Sequence, residues 1–152
     1  MTHRQISLSF ERGFHPLSVT LPRHAIHSDR CSAPVAGYSQ GFQVGTMVFV
    51  SGQLPLDPVS NTKVGDGDIV LEARQVLRNV MAVLEAAGCS AREVASAVIY
   101  LTDINQLETV DAVWREFFTD ASAFPSRAVV EVAALVEGIQ VEISAIAIKD
   151  PA

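Results

Sequence analysis

The chain has 152 residues, of which 49% are hydrophobic and 18% charged, and its formal net charge is -6 at pH 7. This length suits one domain, and nucleic-acid binding is disfavoured because Lys and Arg are nowhere clustered as phosphate contacts require. No apolar stretch approaches the roughly 20 residues of a membrane-spanning helix. The charged, proline-containing N-terminus does not resemble a secretory signal, and the two cysteines show no metal or disulfide spacing, so we expect a cytoplasmic protein with reduced thiols.

The first 23 residues are predicted to be an N-terminal extension, and residues 24–152 the folded domain. All four histidines precede residue 28: His3, His15, His24 and His27. No carboxylate cluster accompanies them, so we interpret them as incidental and not as metal ligands. Any chemistry of the domain at neutral pH must then proceed without histidine.

The first elements of the domain are predicted from turn and capping residues. Two β-rich runs, residues 42–44 and 47–50, flank Gly45-Thr46, which predicts a β-hairpin. Residues 55–68 contain prolines and glycines typical of a loop, and Asp68 at its end can cap a helix.

Two helices and a strand follow. Apolar residues recur at helical spacing over residues 69–87, and Gly88 supplies a left-handed stop. Residues 94–101 are apolar on both alternating sets, which predicts a central strand covered on both faces. Residues 107–118 form the second predicted helix.

The last predicted elements are strands over residues 127–135 and 140–148, joined through Glu137-Gly138. The order β-β-β-α-β-α-β-β predicts an α+β domain of two layers, with a mixed sheet and both helices on one face. The other sheet face then needs a cover, and in so apolar a chain we expect a second copy of the same chain.

Arg127 and Glu142 are the residues most suggestive of chemistry. Arg127 opens an apolar strand, where its guanidinium either pairs with a nearby carboxylate or grips a substrate carboxylate, and position alone supports both equally. Glu142 lies within an apolar strand, where burial would raise its pKa toward a range useful for proton transfer. A solvent-facing glutamate is the commoner reading of this pattern.

The expected geometry separates these two residues. If the last two strands form a hairpin, Arg127 pairs near Ile148 and Glu142 lies roughly 20 Å away along the strand. A site that uses both would therefore lie between subunits.

Tyr38, Ser51 and Gly52 stand at strand ends, where hydroxyl groups and a glycine amide can orient a small polar ligand or simply form turns. The domain lacks histidine for a Ser-His-Asp set, and it contains neither GxSxG nor a phosphate-loop motif. Serine hydrolysis and nucleotide binding are therefore disfavoured.

With these residues in view, the sequence resembles the RidA/YjgF family over about residues 24–149. The resemblance is carried by five segments in order: GYSQG at 37–41, VSGQLPLDP at 50–58, LEARQVLRNVMAVLEAAG at 71–88, FPSRAVVEVAAL at 124–135 and VEISAIAI at 141–148.

The resemblance implies a chorismate-mutase-like homotrimer with a central barrel and clefts between subunits. It also implies cofactor-free hydrolysis of enamines or imines, such as 2-aminoacrylate and 2-iminobutyrate, to 2-keto acids and ammonia. Arg127 would bind the substrate carboxylate, Glu142 would activate water, and Tyr38, Ser51 and Gly52 would line the pocket.

The sequence departs from the pattern of this family in three places. Val129 replaces a common cysteine, Asp111 replaces the usual asparagine of the second helix, and residues 133–136 read AALV instead of ARLP. Asp111 and Val129 are predicted to border the substrate, and the negative charge of Asp111 would disfavour simple anionic substrates.

The sequence is also compatible with other functions. They are a pathway-specific deaminase, for example of 2-aminomuconate or an aminoacrylate derivative, and a metabolite-binding regulator without catalysis. A ribonuclease or translation-inhibitor role is less favoured, because the chain is acidic and has no basic patch.

Overall fold

The structure, a computed structural model, describes residues 21–150. It contains six strands and two helices: β1 (Arg23–Ile26), β2 (Gly41–Val44), β3 (Met47–Gln53), α1 (Ile69–Ala86), β4 (Val94–Leu101), α2 (Leu107–Phe117), β5 (Ser126–Glu131) and β6 (Val141–Ile148). The predicted order of elements is confirmed. His3, His15 and nearly all of the predicted extension lie outside the described residues, whereas Arg23, its last residue, begins β1.

All six strands form one mixed sheet in the order β1-β2-β3-β6-β4-β5. The predicted hairpin of β2 and β3 is confirmed, with Gly45 at a positive φ of 58° in its turn. Only β4 and β5 pair in parallel, and α2 forms the crossover between them. None of the described helices is long and apolar enough to cross a bilayer.

The predicted hairpin of the last two strands is wrong. β5 pairs with β4 at the sheet edge, whereas β6 lies between β3 and β4. β5 ends at Glu131, before the predicted residue 135, so residues 132–140 form a connection too long for a tight turn. This connection crosses from one side of β4 to the other.

The two helices begin and end close to the predicted positions. The Asp68 carboxylate caps α1 by accepting hydrogen bonds from the amides of Val70 and Leu71, at 2.9 and 3.2 Å. Gly88 follows the helix with a φ of 75°, a conformation that glycine adopts without strain.

One face of the sheet packs against both helices and forms the core. Leu77 and Leu84 of α1 and Trp114 of α2 are buried there with Ile99 of β4 and Ile143 of β6. Truncating such buried side chains to alanine costs about 2–5 kcal/mol, so this interface supplies much of the stability of the domain.

The other face of the sheet, here called the open face, lies outside this core. Met47 and Phe49 of β3 and Ile148 of β6 are exposed there, and Val98 and Tyr100 of β4 are half-buried. The prediction that β4 is covered on both faces therefore fails within one chain, although β4 is flanked by strands on both sides.

Candidate functional site

A first cavity lies at the edge of the sheet, between β5 and α2, and we call it the arginine pocket. It has a volume of about 260 Å³ and is lined by Asp111, Trp114, Arg115, Phe124, Pro125 and Arg127. Two arginines and one carboxylate thus share a small space with two aromatic rings.

The guanidinium of Arg127 is held by two contacts with α2. Its Nη2 donates to Asp111 Oδ1 at 2.7 Å, and its Cζ lies 5.1 Å from the ring centroid of Trp114. Arg115 Nε donates to the other oxygen of Asp111 at 2.9 Å. Partial burial alone would raise the pKa of Asp111, but the hydrogen bonds from both arginines lower it below its usual range.

A second, larger cavity lies on the open face, and we call it the glutamate pocket. It has a volume of about 460 Å³ and is lined by Val35, Ala36, Tyr38, Ser51, Gly52, Leu54, Val136 and Glu142. The ladder between β3 and β6 shifts register between Val50 and Gln53, and this β-bulge places Ser51 and Gly52 beside Glu142.

Glu142 lies directly against Gly52. A Cβ atom at position 52 would overlap Glu142 Oε1, so only glycine leaves room for the carboxylate in this position. Burial raises the pKa of Glu142 above its usual value near 4.5. The carboxylate therefore holds its proton more tightly than an exposed glutamate does.

Two buried glutamines fix the loop that forms one wall of the glutamate pocket. The Gln40 amide nitrogen donates to the carbonyls of Ser28, Cys31 and Ser32, and its oxygen accepts from the Ser28 amide at 2.7 Å. Gln53 donates to the Gln40 carbonyl at 3.1 Å, which ties this loop to the end of β3. Burial raises the pKa of the Cys31 thiol to about 11, although a hydrogen bond with Ser32 lowers it somewhat, so this thiol is unreactive at neutral pH.

The two pockets lie on opposite faces of the sheet. Arg127 contacts α2 on the helix side, whereas Glu142 stands between the buried Val141 and Ile143 and so faces the open side. Along β4, Arg127 pairs with Ala97 and Glu142 with Tyr100, which puts their Cα atoms roughly 14 Å apart. Arg127 and Glu142 are therefore separated because their strands lie on opposite sides of β4, and not because of a hairpin. One chain does not bring the two side chains together.

The predicted site residues fall into two groups. Tyr38, Ser51, Gly52 and Glu142 line the glutamate pocket, and Asp111 and Arg127 line the arginine pocket. Val129 lines neither of these two pockets; it packs against the core between the helices and the sheet.

Sequence reasoning missed several lining residues, of which Arg115 matters most. Its spacing from Asp111 is the i,i+4 spacing of a helical ion pair, so the contact could have been predicted from the sequence. Within residues 21–150, no three His, Cys, Asp or Glu side chains come together as metal ligands, and His24 and His27 are exposed.

Comparison with known proteins gives consistent matches. The family model described as "Endoribonuclease L-PSP" matches residues 29–149. A goat protein named 2-iminobutanoate/2-iminopropanoate deaminase is 41% identical, covering 87% of this chain and 94% of its own length. The protein DfrA of Myxococcus xanthus is 44% identical over 84% of this chain and 97% of its own.

Solved structures agree with this pattern. The structure of Escherichia coli TdcF with bound serine superposes with a TM-score of 0.78 at 34% identity, covering 84% of this chain and 99% of that one. A putative endoribonuclease from Thermotoga maritima gives a TM-score of 0.79 at 35% identity, with coverages of 84% and 98%.

Proposed function

This chain belongs to the endoribonuclease L-PSP family, also called RidA/YjgF, and from that premise we propose that it hydrolyses imines of small 2-amino acids. The products are a 2-oxo acid and ammonia. The observation that carries the proposal is the pair of pockets, which place Arg127, a group able to bind a carboxylate, and Glu142, a half-buried carboxyl group, on opposite faces of one sheet.

We propose that the active site is completed between chains of a homotrimer, with the open faces packed into a central barrel. The exposed Met47, Phe49 and Ile148 support this assembly, because they are neighbours on one sheet face and a contiguous apolar patch is stabilised by burial against a second copy. The arginine pocket of one copy would then adjoin the glutamate pocket of the next.

In this site Arg127 binds the carboxylate of the substrate through charge-assisted hydrogen bonds. An enamine substrate first takes a proton on carbon and becomes the iminium ion, which is the protonated imine. Glu142 accepts a proton from water as the oxygen bonds to the imine carbon and the C=N electron pair moves to nitrogen. Glu142 passes this proton to the nitrogen of the carbinolamine, and ammonia leaves as the hydroxyl group gives its proton back to the carboxylate and becomes the carbonyl of the 2-oxo acid.

This chemistry requires positioning more than strong acid or base groups, because a bound iminium carbon is already electrophilic. The raised pKa of Glu142 supports its role, since a carboxylate that holds protons more tightly is a better base for water. Tyr38 and Ser51 would orient the water and the amino group from the pocket wall.

The test is the loss of enzymatically generated 2-iminobutanoate. Wild-type protein should accelerate this loss, and Arg127→Ala should lower kcat/KM by about 30- to 150-fold, because a charge-assisted anchor worth about 2–3 kcal/mol is removed. Arg92→Ala, which removes an exposed arginine outside both pockets, is the matched control and should leave the rate unchanged. Equal activity of the Arg127 and Arg92 variants would contradict the proposal.

The ion pair between Asp111 and Arg127 favours one alternative, a metabolite-binding regulator that turns nothing over. That function predicts binding of 2-oxo acids without accelerated imine loss.

Residues 1–23 are proposed to be an extension of the domain at 24–152. The free Cys31 and Cys89 thiols support the expected cytoplasmic location.

A further inference from the structure

The arginine pocket contains three charged groups that together carry a net charge of +1. Arg127 and Arg115 contribute two positive charges, and Asp111, held between them at 2.7 and 2.9 Å, contributes one negative charge. The other lining residues, Trp114, Phe124 and Pro125, are uncharged.

Asp111 does not use up the capacity of Arg127 to bind an anion. The bond from Nη2 to Oδ1 is the one side-chain hydrogen bond of this guanidinium within residues 21–150. Several N–H donors of the group are left over, and they can take a substrate carboxylate. A bound carboxylate would lie roughly 5 Å from that of Asp111, close enough for their repulsion to matter in a partly buried pocket.

We propose that Asp111 is a specificity-determining residue that matches this pocket to imines with a single carboxylate and rejects dicarboxylates. This inference rests on the proposed imine hydrolysis. A monocarboxylate brings the pocket to neutrality, whereas a dicarboxylate leaves one uncompensated negative charge in a cavity of about 260 Å³. Asp111 itself does not react with the substrate; it sets the charge that the substrate meets.

Arg115 changes the net charge of the arginine pocket in the opposite direction to Asp111. It neutralises the second oxygen of Asp111, and its guanidinium lies 5.4 Å from the ring centroid of Phe124. Removing the charge of Asp111 raises the pocket to +2, and removing that of Arg115 lowers it to zero. The two substitutions should therefore shift substrate preference in opposite directions.

The experiment measures the discrimination ratio, which is kcat/KM with 2-iminobutanoate divided by kcat/KM with 2-iminoglutarate, both generated in the assay. Asp111→Asn should lower this ratio about tenfold, because the amide keeps the size of the side chain and removes its charge. Arg115→Gln should raise the ratio only about threefold, since this arginine is largely solvent-exposed and therefore screened.

Binding of the product-like 2-oxobutanoate and 2-oxoglutarate, measured by calorimetry, gives a second readout that needs no turnover. The ratio of their Kd values should shift in the same two directions. An unchanged ratio in Asp111→Asn, or shifts of the same sign in both variants, would overturn the inference. If wild type hydrolysed neither imine, the proposed function would fail, while the Kd ratios would still decide the charge matching.

Discussion

The arginine pocket and the glutamate pocket are held together by different kinds of interaction. At the sheet edge, charged side chains of α2 and β5 contact one another, and Arg115 remains largely exposed. At the bulge of β3, the buried amides and backbone groups that fix the wall of the glutamate pocket are uncharged.

This difference separates two tasks. Charged, partly exposed groups respond to substitution and salt with modest changes in energy, so the arginine pocket suits the selection of substrates. Buried hydrogen bonds cost much when broken and keep atoms in fixed positions, so the glutamate pocket suits a reaction that depends on placing water.

The largest effect is expected when the charge of Glu142 is removed. Glu142→Gln should lower kcat by about a hundredfold or more, because the pocket loses its proposed general base and keeps its shape. Glu108→Gln, an exposed glutamate of α2, is the control and should be fully active. A nearly active Glu142→Gln would show that the glutamate pocket does not carry the reaction.

The pH dependence follows from the same residue. The wild-type rate should fall with decreasing pH at a midpoint above 4.5, because burial raises the pKa of Glu142.

The folded state binds this proton more tightly than the unfolded state, so ionised Glu142 lowers stability above that midpoint. Glu142→Gln should thus raise the Tm relative to wild type at pH 7 and match it near pH 4; an unchanged difference would contradict the assignment.

Removing the buried amide that holds the loop tests the rigidity of the glutamate pocket. Gln40→Leu should lower the free energy of unfolding by about 3 kcal/mol, since three carbonyls and one amide lose their partner. Gln43→Leu, which removes one bond to Gly45, should cost about 1 kcal/mol or less in the same denaturant titration. Equal losses would show that the loop is fixed by other contacts.

A single added methyl group tests the close approach at the bulge. Gly52→Ala should lower kcat/KM about tenfold, because the new Cβ displaces the Glu142 carboxylate. Gly37→Ala is the matched control, since its Cβ would meet no atom within 4 Å. Steady-state kinetics of the two variants decide the point: full activity of Gly52→Ala would mean that Glu142 need not lie where it does.

The smallest effect is expected far from both pockets. Asp68→Ala removes the N-cap of α1 and should lower the free energy of unfolding by about 1 kcal/mol without changing kcat/KM. Asp29→Ala, which removes an almost fully exposed carboxylate, should change neither quantity. A loss of activity in Asp68→Ala would mean that the pockets are coupled to the general stability of the domain.

The sequence predicted what depends on local chemistry. The turn at Gly45, the cap at Asp68 and the stop at Gly88 are set by neighbouring residues, and the structure confirms each of them. The grouping of Tyr38, Ser51 and Gly52 near strand ends was also visible.

Long-range pairing was not predictable in the same way. Nothing in the composition of β5 and β6 distinguishes a hairpin from insertion of β6 between β3 and β4, because both arrangements bury the same alternating residues. The bond from Arg127 to Asp111 spans 16 positions and depends on that pairing. From the sequence alone, Arg127 could pair either with a carboxylate of the chain or with that of a substrate. The structure contains the carboxylate of the chain beside an accessible cavity.

The central claim is that Arg127 and Glu142 act together only across two chains. Co-expressing Arg127→Ala with Glu142→Gln, each with its own tag, and isolating mixed oligomers tests it directly. Each mixed trimer has one junction of three that pairs the intact Arg127 of one chain with the intact Glu142 of another, so it should restore roughly a third of wild-type activity, while the double variant stays inactive. Mixed oligomers as inactive as either variant alone would contradict the account.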